Sequence, residues 1–141
     1  MTPSHAAAVC YRLTADGPRL LLITTSDGQR WIIPKGHIEL NESSWSVVAW
    51  ETLEETGWDG AIDRTSLGTF VYGAGDRRVL VEAFLLEATH RPQPGEDRRQ
   101  VWLAPPDLPR LLRQGREDDP FTVAELLRVV HTGLAHLARR R

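Results

Sequence analysis

The chain has 141 residues, 41% hydrophobic and 26% charged, a size and balance that suit one folded domain spanning 1–141 with a sizeable core. A net charge of −2 excludes a general affinity for nucleic acid or anionic membrane. The single cysteine, Cys10, excludes an internal disulfide and fits a reducing compartment.

Residues 7–13 and 20–25 are apolar and β-prone, and the intervening residues 15–18 (ADGP) read as a hairpin turn. Cys10 lies in the first of these runs and reads as a small buried thiol. Residues 31–33 form a short strand stopped by Pro34, and residues 35–41 follow as a loop in which Asn41 can take the positive φ of a tight turn. Ser43 or Ser44 can cap a helix running to about Thr56, which Gly57 ends. Residues 67–72 and 79–87 flank the hairpin signature GAGD, and 91–99 is a polar loop before a strand at 101–103. Pro105 and Pro106 open a brief helix through Leu112. A longer helix begins at Pro120 or Phe121, with Leu126, Leu127, Val130, Leu134 and Leu137 as its apolar stripe. Strands and helices interleave without a regular βαβ repeat, which predicts an α/β fold with a mixed sheet. No apolar run nears the ~20 residues of a membrane span. Residues 1–12 lack the basic and then apolar layout of a signal peptide, so a cytoplasmic location is expected.

The first helix carries an electrostatic problem. Glu51, Glu54 and Glu55 share one face, and Trp45, Ala49, Leu53 and Thr56 fall opposite as the expected core stripe. No Lys or Arg occurs between Glu42 and Glu55, so no partner within the helix relieves the repulsion. The acids also occupy the C-terminal half, where the helix dipole disfavours negative charge. A hard divalent cation would turn that liability into a site, since Mg²⁺ takes oxygen ligands and bridges carboxylates to phosphates. Of the 17 basic residues only Lys35 is lysine, a compact point charge placed just before Gly36, whose bare backbone lets an ion approach. Together these features point to phosphate chemistry.

Gly36, five residues, Glu42, seven residues and then WETLEETGW resembles the Nudix box, G-x5-E-x7-R-E-U-x-E-E-x-G-U, at seven of its nine specified positions. The resemblance implies a Nudix-type α/β/α sandwich with a mixed β-sheet. It also implies Mg²⁺- or Mn²⁺-dependent hydrolysis of a pyrophosphate bond in a nucleoside diphosphate-linked compound. By position, Glu51 and Glu55 would ligate metal, Glu54 would ligate or orient water, and the Gly36 carbonyl would complete the shell. Glu42 would brace the loop, and either Glu51 or Glu54 could be the general base. An acid from a later loop would contribute as well, with Glu96 the first choice and Asp97 the next. The run WIIPKGHIE, residues 31–39, is similar to the diadenosine polyphosphate hydrolase branch and its diphosphoinositol relatives. A dinucleoside polyphosphate is therefore one expected substrate, with Lys35, Arg77 and Arg78 as phosphate-binding residues and Tyr72 or Trp31 as stacking aromatics. His37 reads as a structural loop residue, while His131 and His136 are not on one helical face and read as no metal pair. A monomer or homodimer acting on a small nucleotide or polyphosphate is implied.

Two departures matter. The box arginine is Trp50 and the following apolar position is Thr52. That arginine normally pairs with a box glutamate, and an indole carries no charge and one donor. Two outcomes are open: another arginine, such as Arg77 or Arg78, substitutes in space, or the chain is an impaired Nudix-like domain that binds nucleotide in a regulatory role.

Overall fold

Ten consecutive residues, His5–Thr14 (β1), form the strand on which the fold is built; the computed structural model describes residues 2–140. Ala6 to Tyr11 are all buried, a run without alternation, which requires cover on both faces of the sheet. On one side β1 pairs antiparallel with Gly17–Thr24 (β2), and on the other it pairs parallel with Val79–His90 (β7). That single parallel pairing makes the sheet mixed. The eight strands also include Trp31–Ile32 (β3), Lys35–His37 (β4), Asp59–Ile62 (β5), Thr69–Tyr72 (β6) and Gln100–Leu103 (β8). The main path runs β3-β2-β1-β7-β5, with β4 joined to β1, β6 to β7 and β8 to β2.

Among the described residues there are three α-helices: Ser44–Thr56 (α1), Leu108–Arg113 (α2) and Pro120–Arg139 (α3). Both α1 and α3 pack on β1 and β7. Val47 and Val48 of α1 and Leu126, Val130 and Leu137 of α3 enter the same core as Val9, Phe70 and Leu85. The arrangement is an α/β/α sandwich around a mixed sheet. Among the described residues no helix is long and apolar enough to cross a membrane.

Several sequence expectations need correcting. Lys35, Gly36 and His37 are not loop but strand, paired through Ala7↔Lys35, Ala6↔Gly36 and His5↔His37. Asp59–Ile62, unrecognised in the sequence, is a strand against β7, because its Asp and Gly hide the β pattern. The turn between β1 and β2 is tighter than residues 15–18, with Thr14 opposite Gly17. Helix α1 is also rotated from the expected stripe. It buries Val47, Val48, Thr52, Glu55 and Thr56, while Trp45 and Ala49 are only half-buried against the core and Leu53 is half-exposed. The rotation turns Glu55 inward toward β4. Ser43 stands at the N-cap in extended conformation, but its hydroxyl bonds Ser46 Oγ at 2.8 Å instead of a helix N–H. Cys10 is buried, as expected, and burial raises its thiol far above the ordinary range.

Candidate active site

The site forms where strand β4 passes the C-terminal half of α1. Gly36 is pressed so close to the helix that an added Cβ would collide with Glu51 Cγ. Only glycine lets this backbone meet the carboxylate side chain. One turn further on, Glu55 is 7% exposed and its Oε1 accepts the Lys35 N–H at 3.1 Å. Glu54 stands exposed on the outer side of the helix. Ahead of α1, Glu42 Oε1 accepts the Glu39 N–H at 2.7 Å and Asn41 adopts φ 68°, closing the loop that leads into the helix. His37 sits edge-on to His5 with ring centroids 5.0 Å apart and faces Glu39 at 3.3 Å.

The acidic helix end is not left unrelieved. The loop between β7 and β8, together with the first residue of β8, wraps it and supplies donors to its last carbonyls. Glu96 N–H donates to Glu55 O at 3.1 Å, Gln93 Nε2 to Leu53 O at 3.3 Å, and Gln100 Nε2 to Thr56 O at 2.8 Å. Arg91 Nε donates to Thr56 O at 3.1 Å, which places a cation where the helix dipole favours one. The loop also brings Arg98, whose Nη2 lies 3.4 Å from Glu55 Oε2 and 2.9 Å from Glu96 Oε1. Glu96 thus stands beside Glu55, while Asp97 forms no ion pair among the described residues.

Sequence reasoning missed Arg91 and Arg98 because nothing in a polar, arginine-containing loop shows which carboxylate it will meet. Neither Arg77 nor Arg78 stands in for the missing box arginine; among the described residues, Arg98 alone forms an ion pair with Glu51, Glu54 or Glu55. Trp50, 58% exposed, points away into solvent. Thr52 is fully buried with its Oγ1 unpartnered, so it fills the apolar box position as a methyl-bearing side chain would.

Electrostatics follow from this packing. Burial raises the Glu55 carboxyl to about 7, against the opposing pull of Arg98 and the Lys35 N–H. Burial also raises Glu51, reinforced by Glu54, Glu96 and Glu42 and opposed by Arg98. Both groups lean toward protonation and gain from any cation that reaches them. Among the described residues, no three His, Cys, Asp or Glu side chains converge into a coordination shell as they stand. The donors present are nonetheless hard oxygens of the kind a divalent cation takes, and Glu51, Glu54 and Glu55 all project from the C-terminal half of one helix.

A cleft of about 170 Å³ opens over Glu55, with Lys35, Tyr72, Ile33 and Arg98 among its walls. Lys35 Nζ lies 4.8 Å from the centre of the Tyr72 ring. Tyr72 also borders a larger groove of about 660 Å³, whose lining includes Arg30, Arg77, Arg78, Arg116 and Phe121 as well as Asp118 and Asp119. Arg116 is 4% exposed and donates to Trp31 O, Leu112 O and Tyr72 Oη. Among the described residues, Arg77, Arg78 and Arg116 form no ion pair with a carboxylate. The second candidate for stacking, Trp31, is a half-buried edge-strand residue beneath the Arg99 guanidinium, 5.3 Å from its ring centre.

A mixed sheet between helices, with a glycine-fronted carboxylate helix at its edge, defines the Nudix class of fold. A family model described as NUDIX domain matches residues 3–125, and the chain belongs to that family; it is a Nudix hydrolase. It is 29% identical over 114 residues to a mouse diphosphoinositol polyphosphate phosphohydrolase 3-alpha, covering 77% of this chain and 68% of the relative. It is 30% identical over 112 residues to a MutT-like protein of Streptomyces ambofaciens, covering 75% and 68%. In fold it is similar to C. elegans Ap4A hydrolase, with a TM-score of 0.76, 22% identity and coverage of 97% of this chain and 99% of that one. The family match and the filled cation position beside Glu55 leave the impaired, non-catalytic alternative without support.

Proposed function

We propose that the chain hydrolyses a pyrophosphate bond in a nucleoside diphosphate-linked compound, with a dinucleoside polyphosphate as the fitting substrate, and that it depends on Mg²⁺ or Mn²⁺. The observation that carries the reading is the cleft lined by Lys35 and Glu55, next to the close approach of Gly36 to Glu51, adjoining a groove in which Arg77, Arg78 and Arg116 form no ion pair among the described residues. Glu51, Glu54, Glu55, Glu96 and the Gly36 carbonyl would hold the cation. Bound there, a dication neutralises phosphoryl oxygens and lowers the pKa of a water.

The chain's own residues do the remainder. Lys35 holds a phosphate over the cleft, and its ammonium is kept in place above the Tyr72 ring. Glu51 or Glu54 orients the attacking water and takes its proton. Arg77 and Arg78 grip the phosphates further along the chain through bidentate contacts. The buried Arg116 adds a fixed positive charge behind them.

A panel of dinucleoside polyphosphates, nucleoside triphosphates and nucleotide sugars, assayed for phosphate-containing products with Mg²⁺ or Mn²⁺, tests this. Turnover is expected to need the metal, to stop with chelator, and to fall by about 100-fold or more in Glu55→Gln. Tight nucleotide binding without turnover at any metal concentration would sink the proposal.

A further inference from the structure

We infer that Arg98 is a positioning residue of the hydrolysis proposed above, a yoke that holds Glu55 of α1 and Glu96 of the β7–β8 loop at a set separation across the site. The inference rests on that functional reading. Helix α1 has no basic residue of its own, and position 50, where a cation would be expected, carries an indole directed into solvent. The buried Glu55 therefore depends on a charge delivered from elsewhere in the chain, and a buried carboxylate without one is costly.

Arg98 is built to deliver it. One terminal nitrogen, Nη2, faces Glu55 Oε2 at 3.4 Å and Glu96 Oε1 at 2.9 Å, while the other, Nη1, points to Thr24 O at 3.5 Å. The backbone around it is fastened at both ends. Glu96 N–H bonds Glu55 O at 3.1 Å, Arg98 N–H bonds Glu96 O at 2.8 Å, and Arg99 N–H bonds Thr24 Oγ1 at 3.2 Å. The guanidinium side chain is only 19% exposed, so it has little freedom to leave. With Nη1 directed to Thr24 O, the planar guanidinium keeps Nη2 between the two carboxylates, whereas an ammonium offers the charge without that fixed plane. Glu96 has no second ion-pair partner among the described residues, so while its backbone N–H is tied directly to Glu55 O, its carboxylate is tied across the site through this one side chain.

A double-mutant cycle on the full chain tests the yoke: Arg98→Gln, Glu96→Gln and both together, with Arg98→Lys as the conservative variant. Turnover and Mn²⁺ affinity, the latter by calorimetry without nucleotide, are the two readouts. Arg98→Gln is expected to lower kcat by roughly 10- to 100-fold with KM changed by less than about 3-fold, and Arg98→Lys to recover part of kcat. The double variant is expected to be no worse than the poorer single one, in kcat and in Mn²⁺ affinity alike. Additive losses, or an effect confined to KM, would show that Arg98 acts apart from Glu96 and overturn the yoke. A fall in Tm with kcat unchanged for the folded fraction would also overturn it. An inert wild type that takes up no Mn²⁺ overturns the hydrolase reading and the yoke together, whereas an active wild type with additive losses overturns the yoke alone.

Discussion

Glu55 shows how one residue's setting decides its chemistry. Its neighbours in sequence mark it as one of three acids on a helix face, yet of the three it is the buried one, its carboxylate accepting a backbone N–H of β4. Burial outweighs the attraction of Arg98 and raises the carboxyl to about 7 from an ordinary 4.5. A carboxyl raised on folding binds its proton more tightly in the native state. Its contribution to stability is therefore full below pH 4.5 and is lost as pH rises through 7. Glu55→Gln removes that slope. Without metal, its Tm should match wild type near pH 4.5 and exceed it at pH 8 by roughly 5 °C. Added Mg²⁺ should narrow the gap by stabilising only the wild-type carboxylate. A wild type more stable than the variant at pH 8 in chelator would show that pairing with Arg98, not burial, dominates. Spacing in the sequence pointed to Glu55, but the identity of its cation was hidden, since Arg98 reaches it only through the path of a loop.

At the scale of elements, the joint between α1 and the β7–β8 loop is where local rules and tertiary packing meet. Gly57 ends the helix at φ 81°, in the left-handed region that glycine favours, and was legible for that reason. Its second duty was not legible. A Cβ there would collide with the Gln93 carbonyl, and a Cβ on Gly95 would strike the Thr56 and Gly57 backbone, so both residues let two backbones touch. Gly57→Ala should therefore cost about 2–4 kcal/mol in urea melts, more than the left-handed φ alone explains. Turnover of the folded variant should also fall, because displacing the loop moves Glu96 and Arg98. A loss of about 1 kcal/mol with normal kcat would place the penalty in the helix cap alone. The same joint revises the argument drawn from repulsion along α1. Arg91, Arg98 and three further donors relieve part of the strain that the isolated helix carries, so the proposal of a cation site draws on the burial of Glu51 and Glu55 as well as on crowding.

At the scale of the whole molecule, a net charge of −2 conceals local concentrations of charge. Glu51, Glu54 and Glu55 gather on α1, while Arg30, Arg77, Arg78 and Arg116 outnumber Asp118 and Asp119 in the lining of the groove beyond Tyr72. That division suits a substrate whose scissile end lies over the acids and whose remaining phosphates lie over the arginines. Arg77→Gln combined with Arg78→Gln should raise KM for a dinucleoside tetraphosphate by about 10-fold and leave kcat nearly unchanged. The dependence of KM on salt should flatten in the same variant, since exposed phosphate contacts are the screened ones. An unchanged KM at all ionic strengths would remove the groove from substrate binding. Cations already lie near the aromatic rings there, with Arg78 4.9 Å from the Phe121 centre and Lys35 4.8 Å from that of Tyr72.

The amino-acid order by itself determined the strands with unbroken apolar runs, the extent of α1, its glycine stop and the spacing of the box acids. Each of these is written in neighbouring residues and read by short-range sterics or periodicity. Only the tertiary structure decided which face of α1 is buried, that Lys35–His37 forms a strand against β1, and that an arginine from a distant loop serves Glu55. Those outcomes depend on which segments a shared sheet brings together, and a burial or an ion pair is a property of both partners, never of one stretch of sequence alone.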